Sequence, residues 1–390
     1  MTAMAQHPTA DDIFGLLRGV IDPELGSDIV ELGMAKAVDI SDDGDVEVTI
    51  ALTTVGCPLR AQIKKDVIAR IENLPGVGAV TIDWTVLTQP EKAAAMAKAR
   101  FNVAETAPDT TVPATTKVLM VASGKGGVGK SSVSVNLAAG LAARGFAVGV
   151  IDADIWGFSV PRMLGVDGHL ESKDKKILPL RRDIGDGHLE IVSMGYLVEK
   201  EETALMWRGL MLNRAVQHFL QDVRWGDLDY LVIDMPPGTG DVQMGLAKML
   251  PRAEMLIVTT PARAAQKVAV RVANMGRNNY LRIAGVVENM TEFVTPDGAS
   301  YPIFGTGGGA ELAAEAGVPL LGRIPIEAAV AEGGDEGQPV VLGEGAAAEA
   351  FRDLVSTIVE EAVPPVEMAG CSARMLDAVA AALDEYDASA

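Results

Sequence analysis

Through the last two thirds of the chain, apolar residues come in short unbroken runs and not in alternation. Such runs stand at Val118 to Ala122, Val148 to Ile151, Tyr230 to Ile233, Leu256 to Thr259, Ile283 to Val287 and Leu320 to Ile324, separated by segments with helical spacing. One such segment carries Val135, Leu137, Ala138 and Leu141 and stops at Gly145. Strands buried on both faces make continuous apolar runs, and their alternation with helices predicts an α/β fold with a mostly parallel sheet. Ligands in such sheets bind beyond the carboxyl ends of the strands, so the residues that follow each run carry the candidate chemistry.

The amino-terminal part has a different pattern. Ile13, Leu16, Leu17 and Val20 share one face of a helix that Asp11 is expected to cap and Asp22-Pro23 to end. Val46, Val48, Ile50 and Leu52 alternate with more polar residues, which predicts a half-buried strand. A second helix carries Ile63, Val67, Ile68 and Ile71, and Val77 to Val86 returns as a strand after Pro75-Gly76. Residues 1–89 therefore read as a small α+β domain and residues 117–362 as the larger one. Between them, 90–116 reads as a linker that lets the domains move, and 363–390 as a tail.

The first apolar run of the larger domain leads into Gly124 to Ser131, which fits G-x-x-x-x-G-K-[ST] at every fixed position. A strand, a glycine turn and a helix N-terminus aim backbone N–H groups and the positive end of a helix dipole at one point, which suits a polyphosphate. Gly124, Lys125, Gly126, Gly127, Val128, Gly129, Lys130, Ser131 and Ser132 are the candidate nucleotide-binding residues. Lys130 is expected at the β- and γ-phosphates, and the Ser131 hydroxyl on a magnesium ion.

Later strand ends add acids and an amide. Asp234, closing a strand, is the candidate second magnesium ligand, and Asp154 is placed to orient an attacking water. Gly238 and Gly240 allow the next loop to rearrange around a γ-phosphate. Asn289 has the donor and acceptor that a purine edge needs, and Pro325 can pack on its face. Lys125 has no role in an ordinary loop of this type. On the loop crest it can reach the phosphates of a facing subunit and act as an arginine finger does in trans.

Charge narrows the partners. A formal net charge of -20 argues against nucleic acid and anionic membranes, which need a basic patch. The two cysteines, Cys57 and Cys371, cannot build a disulfide framework. No basic-then-apolar leader opens the sequence and no run nears the roughly 20 residues of a membrane span, so a cytoplasmic protein is expected. Cys57, in a strand-to-helix turn, is either a thiolate activated by the helix end or a small buried hydrophobe.

The loop resembles that of the deviant-Walker ATPases, the ParA and MinD group, and Lys125 matches their signature lysine. Within the group, Asp152 to Gly165 and Asp234 to Asp241 are most similar to the switch segments of the Mrp/ApbC family of iron-sulfur cluster carriers. Asp22-Pro23-Glu24 and Cys57-Pro58-Leu59 resemble the SufT-like domain of iron-sulfur assembly proteins. The resemblance implies a homodimer with ATP and magnesium at its interface, catalytic roles for Lys125, Lys130 and Asp154, slow ATP hydrolysis, and delivery of a [4Fe-4S] cluster to client apoproteins. The family's C-x-x-C is missing, with Thr295 and Gly298 near where its thiolates would stand, so Cys57 and Cys371 are the remaining candidate cluster ligands. Alternative readings are a ParA- or MinD-type spatial switch, and an adaptor ATPase that matures a client without a cluster.

Overall fold

The small domain is built on two helices and a short sheet. Helix α1 (Ala10–Leu17) begins at Thr9, whose hydroxyl accepts from the Asp12 N–H at 3.2 Å while the Asp12 carboxylate accepts from the Thr9 N–H at 2.9 Å. Thr9, and not Asp11, is the cap, because this reciprocal pairing needs an acid three residues on, and Asp12 supplies it. The helix stops at Leu17, short of Asp22-Pro23, and Val20 is buried beyond its end. The described residues of this computed structural model are 8–22, 25, 27–53, 59–88, 90–92, 94, 95, 98, 110–154, 157–197, 209–279, 281–295 and 299–366. Cys57, Gly298 and Cys371 lie outside them.

Two short strands, β1 (Ile21–Asp22) and β2 (Ser27–Asp28), pair with each other. The sheet proper is β3 (Ala35–Ile40), β4 (Val46–Leu52) and β5 (Val80–Val86), with β3 antiparallel and β5 parallel to β4. Helix α2 (Arg60–Ile71) joins β4 to β5 and buries Ile63, Val67 and Ile71 with Ile13 and Leu17 of α1. The sequence pattern missed β3, whose positions are all half-buried or exposed and show no apolar period.

The larger domain starts with β6 (Lys117–Ser123), α3 (Lys130–Ala143), β7 (Ala147–Asp152) and the single turn α4 (Val160–Met163). Next come β8 (Glu171–Lys173), β9 (Lys176–Leu178), β10 (Leu180–Ile184), β11 (Gly187–Ser193), α5 (Gly209–Gln221) and β12 (Tyr230–Asp234). The chain continues through α6 (Asp241–Met249), β13 (Glu254–Thr259), α7 (Arg263–Asn278), β14 (Arg282–Val294) and β15 (Ser300–Tyr301). It closes with α8 (Gly308–Glu315), β16 (Leu320–Ile326), α9 (Ala328–Glu336) and α10 (Ala346–Thr357).

The large sheet runs β10-β11-β7-β12-β6-β13-β14, and β14 also pairs with β15 and β16. Pairing is parallel from β11 through β14 and from β14 to β16, while β10 and β15 join antiparallel at its margins. Along β6, Leu119 and Val121 enter one core, with α3 and α10, while Val118, Met120 and Ala122 enter the other, with α5 and α7. The unbroken apolar run is thus the signature of a strand with a helical layer on each side. All six expected runs are strands of this sheet, and β11 and β10 extend it.

The small domain is docked at the amino ends of the large sheet's strands. Arg70 of α2 is 5% exposed, and its guanidinium donates to the carbonyls of Pro251 at 3.4 Å and Arg252 at 2.8 Å, just before β13. Arg282, opening β14, donates to the Ala69 carbonyl at 2.9 Å, and Lys117, opening β6, pairs with Asp66 at 3.1 Å. Within the stretch expected as linker, Val112 is buried, and the Thr111 and Thr116 hydroxyls donate to carbonyls of Val223 and Leu228.

Candidate functional site

The turn between β6 and α3 is shaped by glycine. Gly129 has φ +78, a left-handed conformation that glycine adopts without strain, and a Cβ there would lie 2.2 Å from the Asn289 amide nitrogen. That nitrogen donates to the Val128 carbonyl at 2.9 Å, so β14 grips the loop from the side. Gly124 is pressed against the backbone of Val268 and Ala269, where a Cβ would come within 2.6 Å. Lys125 is exposed on the crest, and its carbonyl accepts from the Ser123 hydroxyl at 3.1 Å.

One carboxylate gathers the first turn of α3. Asp234, fully buried at the end of β12, accepts from the Ser131 hydroxyl at 2.7 Å and from the Ser134 hydroxyl at 2.5 Å. The Lys130 ammonium lies 2.7 Å from the same group, and both side chains of this ion pair are buried. Positions 130, 131 and 134 fall on one helix face because α-helical neighbours recur at three and four residues. Ser134 was not among the residues named from the sequence, although a hydroxyl one turn past Ser131 is a signal for it.

Beside Asp234 in the sheet stands Asp152, its register partner on β7. Asp152 is buried and accepts from the Asp154 N–H at 3.2 Å, the Ser193 hydroxyl at 3.0 Å and the Val160 N–H at 3.3 Å. Burial, and then the Asp234 charge, push its carboxyl well above the ordinary range, against the pull of Lys130. Its bonds fix the turn that carries Asp154 towards α4.

A cavity of about 560 Å³ opens over these residues. Of the residues named from the sequence, Lys125, Gly126, Gly127, Gly129, Lys130, Ser131, Ser132, Asp154, Asn289 and Pro325 line it. Gly124, Val128 and Asp234 do not, the first packed on α7 and the other two buried. Sequence reasoning missed a wall made by α4 and α9, where Arg162 and Asp335 approach to 3.9 Å, and missed Met290 and Glu327. Met290 has φ +57, a left-handed conformation uncommon outside glycine, at a register break in β14 beside the phosphate loop.

Residues 114–359 match the family model described as NUBPL iron-transfer P-loop NTPase. The chain belongs to this iron-transfer P-loop NTPase family. Residues 10–83 match a second model, described as iron-sulfur cluster assembly protein. An iron-sulfur cluster carrier protein of Mycobacterium leprae is 45% identical over 334 residues, which are 84% of this chain and 86% of that protein. One from Synechocystis is 40% identical over 356 residues, covering 90% of this chain and 97% of the relative. Among solved structures, a nucleotide-binding protein from Archaeoglobus fulgidus in complex with ADP is 32% identical, with a TM-score of 0.51 over 60% of this chain and 91% of that one. The P-loop fold and the Mrp-type resemblance read from the sequence both hold for this iron-transfer NTPase.

Proposed function

We propose that this iron-transfer NTPase binds ATP with magnesium, hydrolyses it slowly as a homodimer, and uses that cycle to carry an iron-sulfur cluster to client apoproteins. The observation that carries the reading is the convergence of Lys130, Ser131 and Ser134 on buried Asp234 beneath a cavity of about 560 Å³. Loop N–H groups and the Lys130 ammonium hold the β- and γ-phosphates, while Asn289 and Pro325 receive the base. A hydroxyl from Ser131 and a carboxylate from Asp234 are hard oxygen donors, the set that magnesium takes. Bound there, the ion neutralises charge that builds on the phosphate oxygens.

Asp154, on the turn fixed by Asp152, orients the water that attacks the γ-phosphorus, and the bond to the β-phosphate oxygen breaks to leave ADP and phosphate. Lys125, exposed at the crest, reaches the partner's phosphates and stabilises the same charge. As cargo, a cubane cluster takes four thiolates, and two chains with Cys57 and Cys371 supply that number. Cys57 is the first candidate, since it lies within the stretch that matches the cluster-assembly model.

Anaerobic reconstitution with iron and sulfide tests this. The wild type is expected to take up iron in fixed proportion to dimer and pass it to an apo-client faster with ATP and magnesium, and Cys57→Ser to take up little. A wild type with no stoichiometric iron ends the carrier reading.

A further inference from the structure

Arg182 lies on β10 at the margin of the large sheet, and it does not line the nucleotide cavity. One terminal nitrogen of its guanidinium donates to two carbonyls, that of Leu164 at the end of α4 and that of Gly337 at the end of α9, the latter at 2.8 Å. The other terminal nitrogen reaches the Gln338 side-chain oxygen at 3.4 Å.

The two turns that Arg182 bridges touch through their backbones. Gly165 and Gly337 both have positive φ, +57 and +70, and a Cβ on Gly337 would fall 2.4 Å from the Gly165 Cα. Glycine alone lets the two chains approach so closely in that conformation. By contrast, Arg162 and Asp335 are 3.9 Å apart with side chains more than half exposed, and an ion pair of that kind is a weak tie.

Each turn leads back to a different end of the cavity. α4 begins at Val160, whose N–H the Asp152 carboxylate accepts, and the same carboxylate accepts the Asp154 N–H. α9 follows directly on Pro325, Ile326 and Glu327, and Pro325 and Val330 line the cavity from that side. Arg182 therefore joins the support of Asp154 to the wall beside the base.

We infer that Arg182 is a positioning residue for ATP hydrolysis: by holding the ends of α4 and α9 together, it lets the grip on the base set the place of Asp154. The inference rests on the proposed ATPase. Contacts to the part of a substrate that does not react raise its turnover only when they act on the reacting centre. The bridged turns carry that action here.

The test compares Arg182→Ala with Arg181→Ala, which removes the same charge one position away, where the guanidinium is exposed and pairs with Asp183. Gly337→Ala parts the same two turns with Arg182 in place, and decides the matter should Arg182→Ala not fold. The substrates are ATP and inorganic tripolyphosphate, which lacks base and ribose. Wild type and Arg181→Ala are expected to turn over ATP faster than tripolyphosphate at saturation. Arg182→Ala and Gly337→Ala are expected to lose up to about 100-fold in kcat for ATP, the scale of a misplaced catalytic group, with KM for ATP and tripolyphosphate turnover nearly unchanged. An unchanged kcat for ATP overturns the inference, and so does an equal fall with both substrates, since Arg182 then supports the phosphate end alone.

A wild type that takes up ATP without hydrolysing it defeats the proposed function, and hydrogen exchange then decides the inference. The Leu164, Gly165 and Val166 amides are bonded to carbonyls of α4. In the wild type ADP is expected to slow their exchange more than pyrophosphate does, and in Arg182→Ala the two are expected to act alike. Equal protection in the wild type overturns the inference. No nucleotide uptake by the wild type ends the proposed function and the inference together, whereas the other failures end the inference alone.

Discussion

Lys130 and Asp234 form an ion pair in which both side chains are nearly inaccessible, and two hydroxyls share the carboxylate. Removing the ammonium leaves a buried negative charge with only the hydroxyls to hold it. Lys130→Ala is therefore expected to abolish phosphate release from ATP and to lower the unfolding free energy by about 3 kcal/mol, the order found when one partner of a buried pair is lost. A phosphate-release assay and a denaturant titration check the two parts, and wild-type turnover would remove Lys130 from the mechanism. At this scale the sequence was most legible where chemistry fixes spacing, as from Gly124 to Ser131. It was least legible where a contact is non-local: the grip of Asn289 on Val128 joins positions 161 apart, and no local pattern announces it.

For whole elements, legibility followed burial. A strand covered on both faces has a continuous apolar run, and all six such runs of the larger domain were visible. β11 (Gly187–Ser193) was not, because His188 and Glu190 interrupt it, and its place beside β7 depends on a partner about forty positions away. The start of α1 was misplaced by two residues for a capping reason: Asp11 and Asp12 are both acids, but only Asp12 stands where it can answer Thr9. Thr9→Ala is expected to cost about 1 kcal/mol at neutral pH, measured by urea unfolding. The Thr9 hydroxyl, then its N–H, hold the Asp12 carboxyl below its ordinary 3.8. A depressed acid stabilises the fold above its unfolded value and loses that contribution as pH falls through the folded one. The Thr9→Ala difference should therefore shrink below pH 3.8.

Across the molecule, the small domain sits at the amino ends of the strands and the cavity at their carboxyl ends. Arg70 fastens that arrangement, since its buried guanidinium donates across the contact to the carbonyls of Pro251 and Arg252. Arg70→Ala is expected to cost about 1–3 kcal/mol, to split one calorimetric unfolding transition into two, and to leave ATP affinity unchanged. A single unaltered transition would show that Arg70 is not the fastening. The expectation of a free linker had no access to this docking, because Val112 is a lone apolar residue between Thr111 and Pro113 and the threonines that bond to Val223 and Leu228 follow no period in sequence.

β14 begins at the docked face, with Arg282 against Ala69, and ends thirteen residues later at its pairing with β15. At strand rise it spans roughly 40 Å, with irregular register near Gly285 and again beside Met290. The phosphate loop leans on that strand midway, through Asn289 and the Val128 carbonyl, so a tilt of β14 at the docked face would be felt at the loop. The small domain and the phosphate loop thus share one mechanical axle.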